Sequence, residues 1–166
     1  MADNPQHTAY VALGSNLANP LQQMHFAFEE LARIPRSRLV ARSSLYRSAP
    51  VGYLDQPDFI NAVAQLETQL EPRALLAALL EIERRHGRIR DFANAPRTLD
   101  LDLLLYGDLI HHEHGLTLPH PRMHERAFVL RPLNEIAPDC VIPGIGRVAD
   151  LLTGCTGQKL EKLTEG

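Results

Sequence analysis

Apolar and polar positions alternate most cleanly over Phe59 to Leu70. Phe59, Asn61, Val63 and Gln65 fall on one side, and Ile60, Ala62, Ala64 and Leu66 on the other. That period of two predicts a strand with two different faces. A short apolar run, Ala9 to Leu13, ends at Gly14-Ser15-Asn16 and predicts a buried strand followed by a turn. Leu21, Met24, Phe28 and Leu31 then recur at helical spacing up to Ile34, after Asn19-Pro20 and before Pro35. Asn is a good N-cap, Pro fits the first helical position, and a second Pro ends the helix. Leu39 to Tyr46 is compatible with one further strand, and 48–57 reads as loop. Pro72 opens a second helix that runs to His86, with Gly87 as its C-cap and Leu75, Leu76, Leu79, Leu80 and Ile82 as its apolar face. After an aperiodic stretch over 88–96, Thr98 to Tyr106 is a strand, turned by Gly107-Asp108. Ala127 to Ile136 predicts a helix, and Val148 to Leu152 is too short to assign.

The order is β-α-β-β-α-β with extra C-terminal elements. It predicts an α+β fold with a ferredoxin-like core rather than a doubly wound parallel sheet, which needs more alternating helices. Residues 1–8 read as a loose tail and 9–166 as a single domain.

Composition narrows the function classes. The chain has 166 residues, 45% of them hydrophobic and 22% charged, with a formal net charge of -3. This is ordinary for one globular domain, and no basic field points to nucleic acid. No apolar run has membrane-spanning length. Cys140 and Cys155 have no metal-type spacing and suit a reducing cytoplasm.

Candidate chemistry concentrates in one segment. In Leu99-Asp100-Leu101-Asp102-Leu103-Leu104-Leu105, the two aspartates share a strand face with β-carbons about 6–7 Å apart, while Leu99, Leu101, Leu103 and Leu105 cover the other. Two neighbouring carboxylates repel each other and are costly to dehydrate. A hard divalent cation such as Mg²⁺ relieves both problems, with phosphate and water as further ligands. The alternative is a strand face open to solvent, but aspartate is a poor strand former and two of them in a leucine run need a reason. Upstream lie Arg84, Arg85, Arg88, Arg90 and Arg97. Guanidinium forks match phosphate oxygens. Arg84 and Arg85 are equally explained as cations at a helix C-terminus, whereas Arg88, Arg90 and Arg97 lie beyond it. Together these groups indicate a polyphosphate site without saying which polyphosphate or which atom is attacked.

Two other patterns carry less. His111-His112-Glu113-His114 reads as a polar turn between strands rather than a metal cluster. Pro143-Gly144-Ile145-Gly146 has no helix pattern of the right length behind it, so it reads as a tight turn and not as a phosphate loop.

Ala95-Pro96-Arg97-Thr98-Leu99-Asp100-Leu101-Asp102 closely resembles the signature of the 6-hydroxymethyl-7,8-dihydropterin pyrophosphokinase family. Val11 to Leu17, Tyr46 to Gly52, Gln56 to Ala62, Glu83 to Arg90, Leu118 to Pro121, Arg126 to Phe128 and Pro132 to Pro138 are similar to other segments of it, in the same order. The sequence departs at Ala95, where the family commonly has Gly, and at Phe59, where Tyr is frequent.

The resemblance implies a ferredoxin-like fold with three flexible loops around the active site. It also implies a cytoplasmic monomer that moves the diphosphate of ATP onto the hydroxymethyl group of the pterin, in folate biosynthesis, using two Mg²⁺ ions. Carried over by position, Asp100 and Asp102 would hold the metals, and Arg88 and Arg97 would steady the transferring phosphoryl group. Glu83, Arg90, His120 and Arg126 would line the nucleotide side. Phe59 and Phe128 would stack on the pterin, with Asn61, Ser48 and Val51 on its hydrogen-bonding edge. The competing readings are a metal-dependent phosphohydrolase using Asp100 and Asp102, and a non-catalytic ferredoxin-like ligand-binding module.

Overall fold

The alternating segment 59–68 becomes the central strand of an antiparallel sheet, and its two faces separate two hydrophobic clusters. A computed structural model describes residues 5–15, 20–48, 59–87, 99–155 and 157–163. In chain order the elements are β1 (His7–Ser15), α1 (Pro20–Ala32), β2 (Ser37–Arg42), β3 (Tyr46–Ser48), β4 (Phe59–Thr68), α2 (Pro72–Gly87) and β5 (Asp100–Tyr106). There follow β6 (His111–Glu113), β7 (Leu116–Leu118), a 3-10 turn (Met123–Glu125), α3 (Ala127–Ile136), β8 (Val141–Ile142), β9 (Gly146–Arg147), α4 (Val148–Thr153) and β10 (Leu160–Lys162). The main sheet runs β10-β3-β4-β1-β5, with β2 also paired to β4. Every pairing in it is antiparallel. No helix among the described residues is long and apolar enough to cross a membrane.

One sheet face is covered by α1 and α2. Ala62, Ala64 and Leu66 of β4 join Val11 and Leu13 of β1, Met24, Phe28 and Leu31 of α1, and Leu75, Leu79 and Ile82 of α2 in a single buried cluster. The other face carries a second cluster, with Val63 of β4, Leu104 and Leu105 of β5, Met123, and Leu130 and Leu133 of α3. The split between Val63 and its neighbours follows the predicted alternation of β4.

Five expectations are corrected. Strand β1 begins at His7, two residues before the expected Ala9, because Thr8 takes part in the sheet: its carbonyl accepts from Gly107 N–H at 2.7 Å. The segment 39–46 is not one strand. It breaks at 43–45, where the Ser43 hydroxyl takes the Val63 N–H at 2.9 Å and thereby replaces a ladder bond, while Leu45 turns inward. Leu80 is 52% exposed. At 3.6 residues per turn it lies about 140° around α2 from Leu75, outside the buried arc. Leu105 packs with the α3 cluster and not with Leu99, Leu101 and Leu103. The cause is a bulge: Tyr10 pairs Leu105 but Val11 pairs Leu103, so Leu104 is the extra residue and the side-chain parity flips.

The polar histidine segment is strand β6 rather than a turn. The His111 ring lies 2.9 Å from Glu113, which also pairs with Arg73 at the start of α2. Pro143 to Gly146 is the tight turn expected, joining β8 to β9 with Gly144 at a φ of 76°, a value that suits glycine.

The bulge makes a measurable distinction. Leu103→Ala and Leu105→Ala should each destabilise the fold by about 2–5 kcal/mol. In urea unfolding, Leu105→Ala should be non-additive with Leu130→Ala, and Leu103→Ala should be additive with it.

Candidate active site

Register brings the candidate residues together. Gly14 of β1 stands opposite Asn61 on one side and Asp100 on the other, and Ala12 stands between Val63 and Asp102 in the same way. Residues directly opposite in an antiparallel pair share a face. Asp100, Asp102 and Asn61 therefore project from the face that carries α3. On that face Ser48 pairs with Phe59, and the Asn61 amide nitrogen donates to the Ser48 hydroxyl at 2.7 Å.

These side chains line a cavity of about 1040 Å³. Ala12, Gly14, Ser48, Phe59, Asn61, Asp100 and Asp102 come from the sheet, and Arg122, Glu125, Arg126 and Phe128 from the 3-10 turn and α3. Gly157, Gln158, Lys159 and Leu160 come from the C-terminal segment. Small residues leave room where the polar ones converge. A β-carbon on Gly14 would sit 3.4 Å from the side-chain amide oxygen of Asn61, Oδ1.

Asp100 is half-buried and Asp102 is exposed. The pair is thus less dehydrated than the sequence suggests, and charge repulsion is the stronger of the two arguments. The donor set fits a hard divalent cation: two carboxylates on one strand face, opposite Ala12 and Gly14, at an open cavity that admits phosphate and water. Among the described residues no three His, Cys, Asp or Glu side chains form a ready cage.

Helix α3 builds the opposite wall. Ala127, Val129, Leu130 and Leu133 are buried against the sheet, which leaves Arg126 and Phe128 to face the cavity. The Arg126 guanidinium carbon lies 5.5 Å from the Phe128 ring centroid. Pro132 has no N–H to offer the carbonyl four residues back, which belongs to Phe128, while the first turn is closed by Leu130 N–H on the Arg126 carbonyl at 2.9 Å. The far end of α3 is anchored by Glu135. Its carboxylate accepts from Tyr46 Oη at 2.6 Å, from Ser44 N–H at 3.0 Å and from Ser44 Oγ at 2.9 Å. Burial would push the Glu135 carboxyl up, but these donors outweigh it and hold the group below the usual glutamate range. Burial and the bond to Glu135 push the Tyr46 phenol up.

The bulge in β5 also positions His120. Leu104 has no partner in β1, and its carbonyl accepts instead from His120 N–H at 2.9 Å. This draws the His120 loop across β5. Burial lowers the imidazole below its ordinary range, Asp102 opposes that shift, and Arg126 and Arg122 reinforce it. His120 is thus within the electrostatic reach of Asp102, although it does not line the cavity.

Glu83 also lies outside the lining. Its Oε2 accepts from Leu101 N–H at 2.6 Å, between the two aspartates, which ties α2 to β5. Arg84 pairs with Glu81, and Arg85 pairs with Glu30 at 3.0 Å on α1, so both serve the helices, as the bland reading of them held. Val51, Arg88, Arg90 and Arg97 lie outside the described residues. Sequence reasoning missed Arg122 and Lys159, two further cations at the cavity among the described residues. Arg122 sits one helical turn before Arg126 and was findable on that ground; Lys159 belongs to a segment without periodicity.

Comparison with known proteins identifies relatives of this chain. The profile of the 7,8-dihydro-6-hydroxymethylpterin-pyrophosphokinase (HPPK) family matches residues 10–138. A 2-amino-4-hydroxy-6-hydroxymethyldihydropteridine pyrophosphokinase of Haemophilus influenzae is 47% identical over 156 residues, covering 94% of this chain and 98% of that protein. A protein of the same name from Pseudomonas aeruginosa is 49% identical over 154 residues, covering 93% and 95%. Among solved structures, a Plasmodium falciparum HPPK-DHPS crystal structure matches with a TM-score of 0.72 at 14% identity, over 92% of this chain. The chain spans 46% of that longer protein, and the likeness speaks for the fold alone.

Glu135 yields a pH test. Its folded-state pKa lies below the unfolded value, so its contribution is present above the unfolded pKa and is lost as pH falls through the folded one. Glu135→Gln should destabilise the protein at pH 7 by on the order of 1 kcal/mol, since the bonds are exposed to solvent. In urea titrations the gap to the wild type should narrow as pH drops below about 4.

Proposed function

This chain belongs to the 7,8-dihydro-6-hydroxymethylpterin-pyrophosphokinase family, and from that premise we propose that it transfers diphosphate from ATP to the hydroxymethyl group of 6-hydroxymethyl-7,8-dihydropterin. The products are AMP and the pterin diphosphate, in folate biosynthesis. The observation that carries this reading is one cavity lined by the neighbouring carboxylates of Asp100 and Asp102 together with Phe59, Phe128, the buried amide of Asn61 and the guanidinium groups of Arg122 and Arg126.

The pterin lies between Phe59 and Phe128, whose faces suit a flat heterocycle. Asn61, held by Ser48, offers donor and acceptor groups to its mixed edge, and Val51 adds backbone contacts. Asp100 and Asp102 hold Mg²⁺, two ions in this reading, and that metal supplies charge neutralisation at the phosphate oxygens. Arg88 and Arg97 steady the transferring phosphoryl group, while Glu83, Arg90, His120 and Arg126 serve the nucleotide side. Glu83 acts there through the Leu101 backbone that it holds. The bond that forms joins the hydroxymethyl oxygen to the β-phosphorus, and the bond that breaks joins that phosphorus to the oxygen leaving with AMP. Positioning and charge stabilisation account for most of the acceleration.

The antiparallel order of β2 and β3, β4, β1 and β5, with helices α1 and α2 on one face, supports a ferredoxin-like βαββαβ core to which β10 adds an edge strand. A single domain that takes in β1 from His7 onward, a monomer and a cytoplasmic location complete the proposal.

Incubation with ATP, MgCl₂ and the hydroxymethyl pterin, followed by ³¹P NMR, should show AMP and pterin diphosphate in equal amounts. ADP, or orthophosphate released without pterin, would instead identify a different transferase or a hydrolase. Asp100→Asn and Asp102→Asn should each lower kcat by about 10²–10³-fold, the scale for losing one group that stabilises developing charge. Arg88→Ala should cut turnover more than pterin affinity, and an unchanged rate removes that residue from the mechanism.

A further inference from the structure

The first turn of α3 carries two cavity residues yet has no cap of its own. Its N-cap is Arg126, with an extended backbone (φ −118°, ψ 112°) and no side-chain cap bond. The missing partner comes from far along the chain. Gln158 Oε1 accepts from Ala127 N–H at 2.9 Å, and Gln158 Nε2 donates to the Glu125 carbonyl at 2.8 Å. One planar amide thus grips the backbone immediately before and after Arg126. Fixing both neighbours restricts the two soft dihedrals of Arg126, and with them the direction of its side chain and the start of the helix that bears Phe128.

Gln158 is itself held on both sides. Its N–H donates to the Cys155 carbonyl at 3.1 Å, behind α4. Beyond it, β10 pairs Leu160 with Ser48, the residue that holds Asn61. Leu163 N–H donates to the Leu45 carbonyl at 2.8 Å. The C-terminal segment therefore ties the sheet wall of the cavity to its helix wall. It lies outside the residues that the family profile matches.

We propose that Gln158 is a positioning residue that sets the separation and aim of the pterin-binding walls by clamping the backbone around Arg126; this rests on the pterin reading of the cavity given above. The clamp needs both halves of the amide. A mere helix cap needs only the acceptor.

Two variants of the full chain separate these roles. Gln158→Glu keeps the acceptor for Ala127, with a charge that favours a helix N-terminus, and loses the donor to Glu125. Gln158→Met loses both. Pterin affinity is measured by calorimetry with a non-hydrolysable ATP analogue and Mg²⁺ present, alongside Tm and the exchange rate of the Ala127 amide by NMR. Gln158→Met should weaken pterin binding about tenfold, the scale of two hydrogen bonds of ordinary net strength, and should speed Ala127 exchange. Gln158→Glu should retain the wild-type Tm and Ala127 protection yet still weaken pterin binding by about threefold, half of that loss in free energy. Wild-type affinity in either variant overturns the proposal. If the wild type itself binds no pterin, the functional reading fails. The clamp is then judged by Gln158→Glu: looser backbone order at Arg126 in amide NMR relaxation with Ala127 protection kept upholds it, and unchanged order at Arg126 refutes it.

Discussion

The pairing of β1 with both of its neighbours is the constraint on which the site depends. Gly14 faces Asn61 on one strand and Asp100 on the other, so one row across three strands holds an amide and a carboxylate with a residue lacking a side chain between them. A slip of one residue in either pairing would send those side chains to the face occupied by α1 and α2. The leucines guard against that slip, because Leu13 and Leu101 would exchange their buried cluster for the cavity. Hydrophobic burial on one face thus enforces polar placement on the other. The bulge at Leu104 then alters the pattern only beyond Asp102, where Leu105 is needed under α3 and a free carbonyl is needed for His120.

The opposite wall is held by hydrogen bonds at both ends of one short helix. Glu135 fastens the end of α3 to Ser44 and Tyr46, and Gln158 fastens its start. Both anchors reach across long stretches of sequence to segments flanking the sheet edge. These bonds fix the helix that carries Phe128 against the sheet that carries Phe59.

Much of this was legible in the sequence, and the reasons are local. Helix α3 occupies the residues expected for it, Ala127 to Ile136, and β4 divides its faces as its alternation required. The shared face of Asp100 and Asp102 followed from a period of two. What was not legible arose from tertiary partners. A serine hydroxyl interrupts the strand expected over 39–46, and a bulge moves Leu105, because each depends on a residue of another strand. Strand β10 has only three residues and no apolar pattern, so neither it nor Lys159 beside it carried a signal. Glu83 was assigned by resemblance to the nucleotide side, while its bond to the Leu101 amide is visible only once α2 packs on β5.

The central claim is that Asp100 and Asp102 bind the metal that accompanies the nucleotide. Paramagnetic Mn²⁺ tests it most directly, titrated with a non-hydrolysable ATP analogue and followed in the amide NMR spectrum. Broadening should begin at Asp100, Asp102, Ala12 and Gly14 and spread towards Asn61. Broadening centred on the histidines of β6, or spread evenly over the acidic surface, would contradict the account.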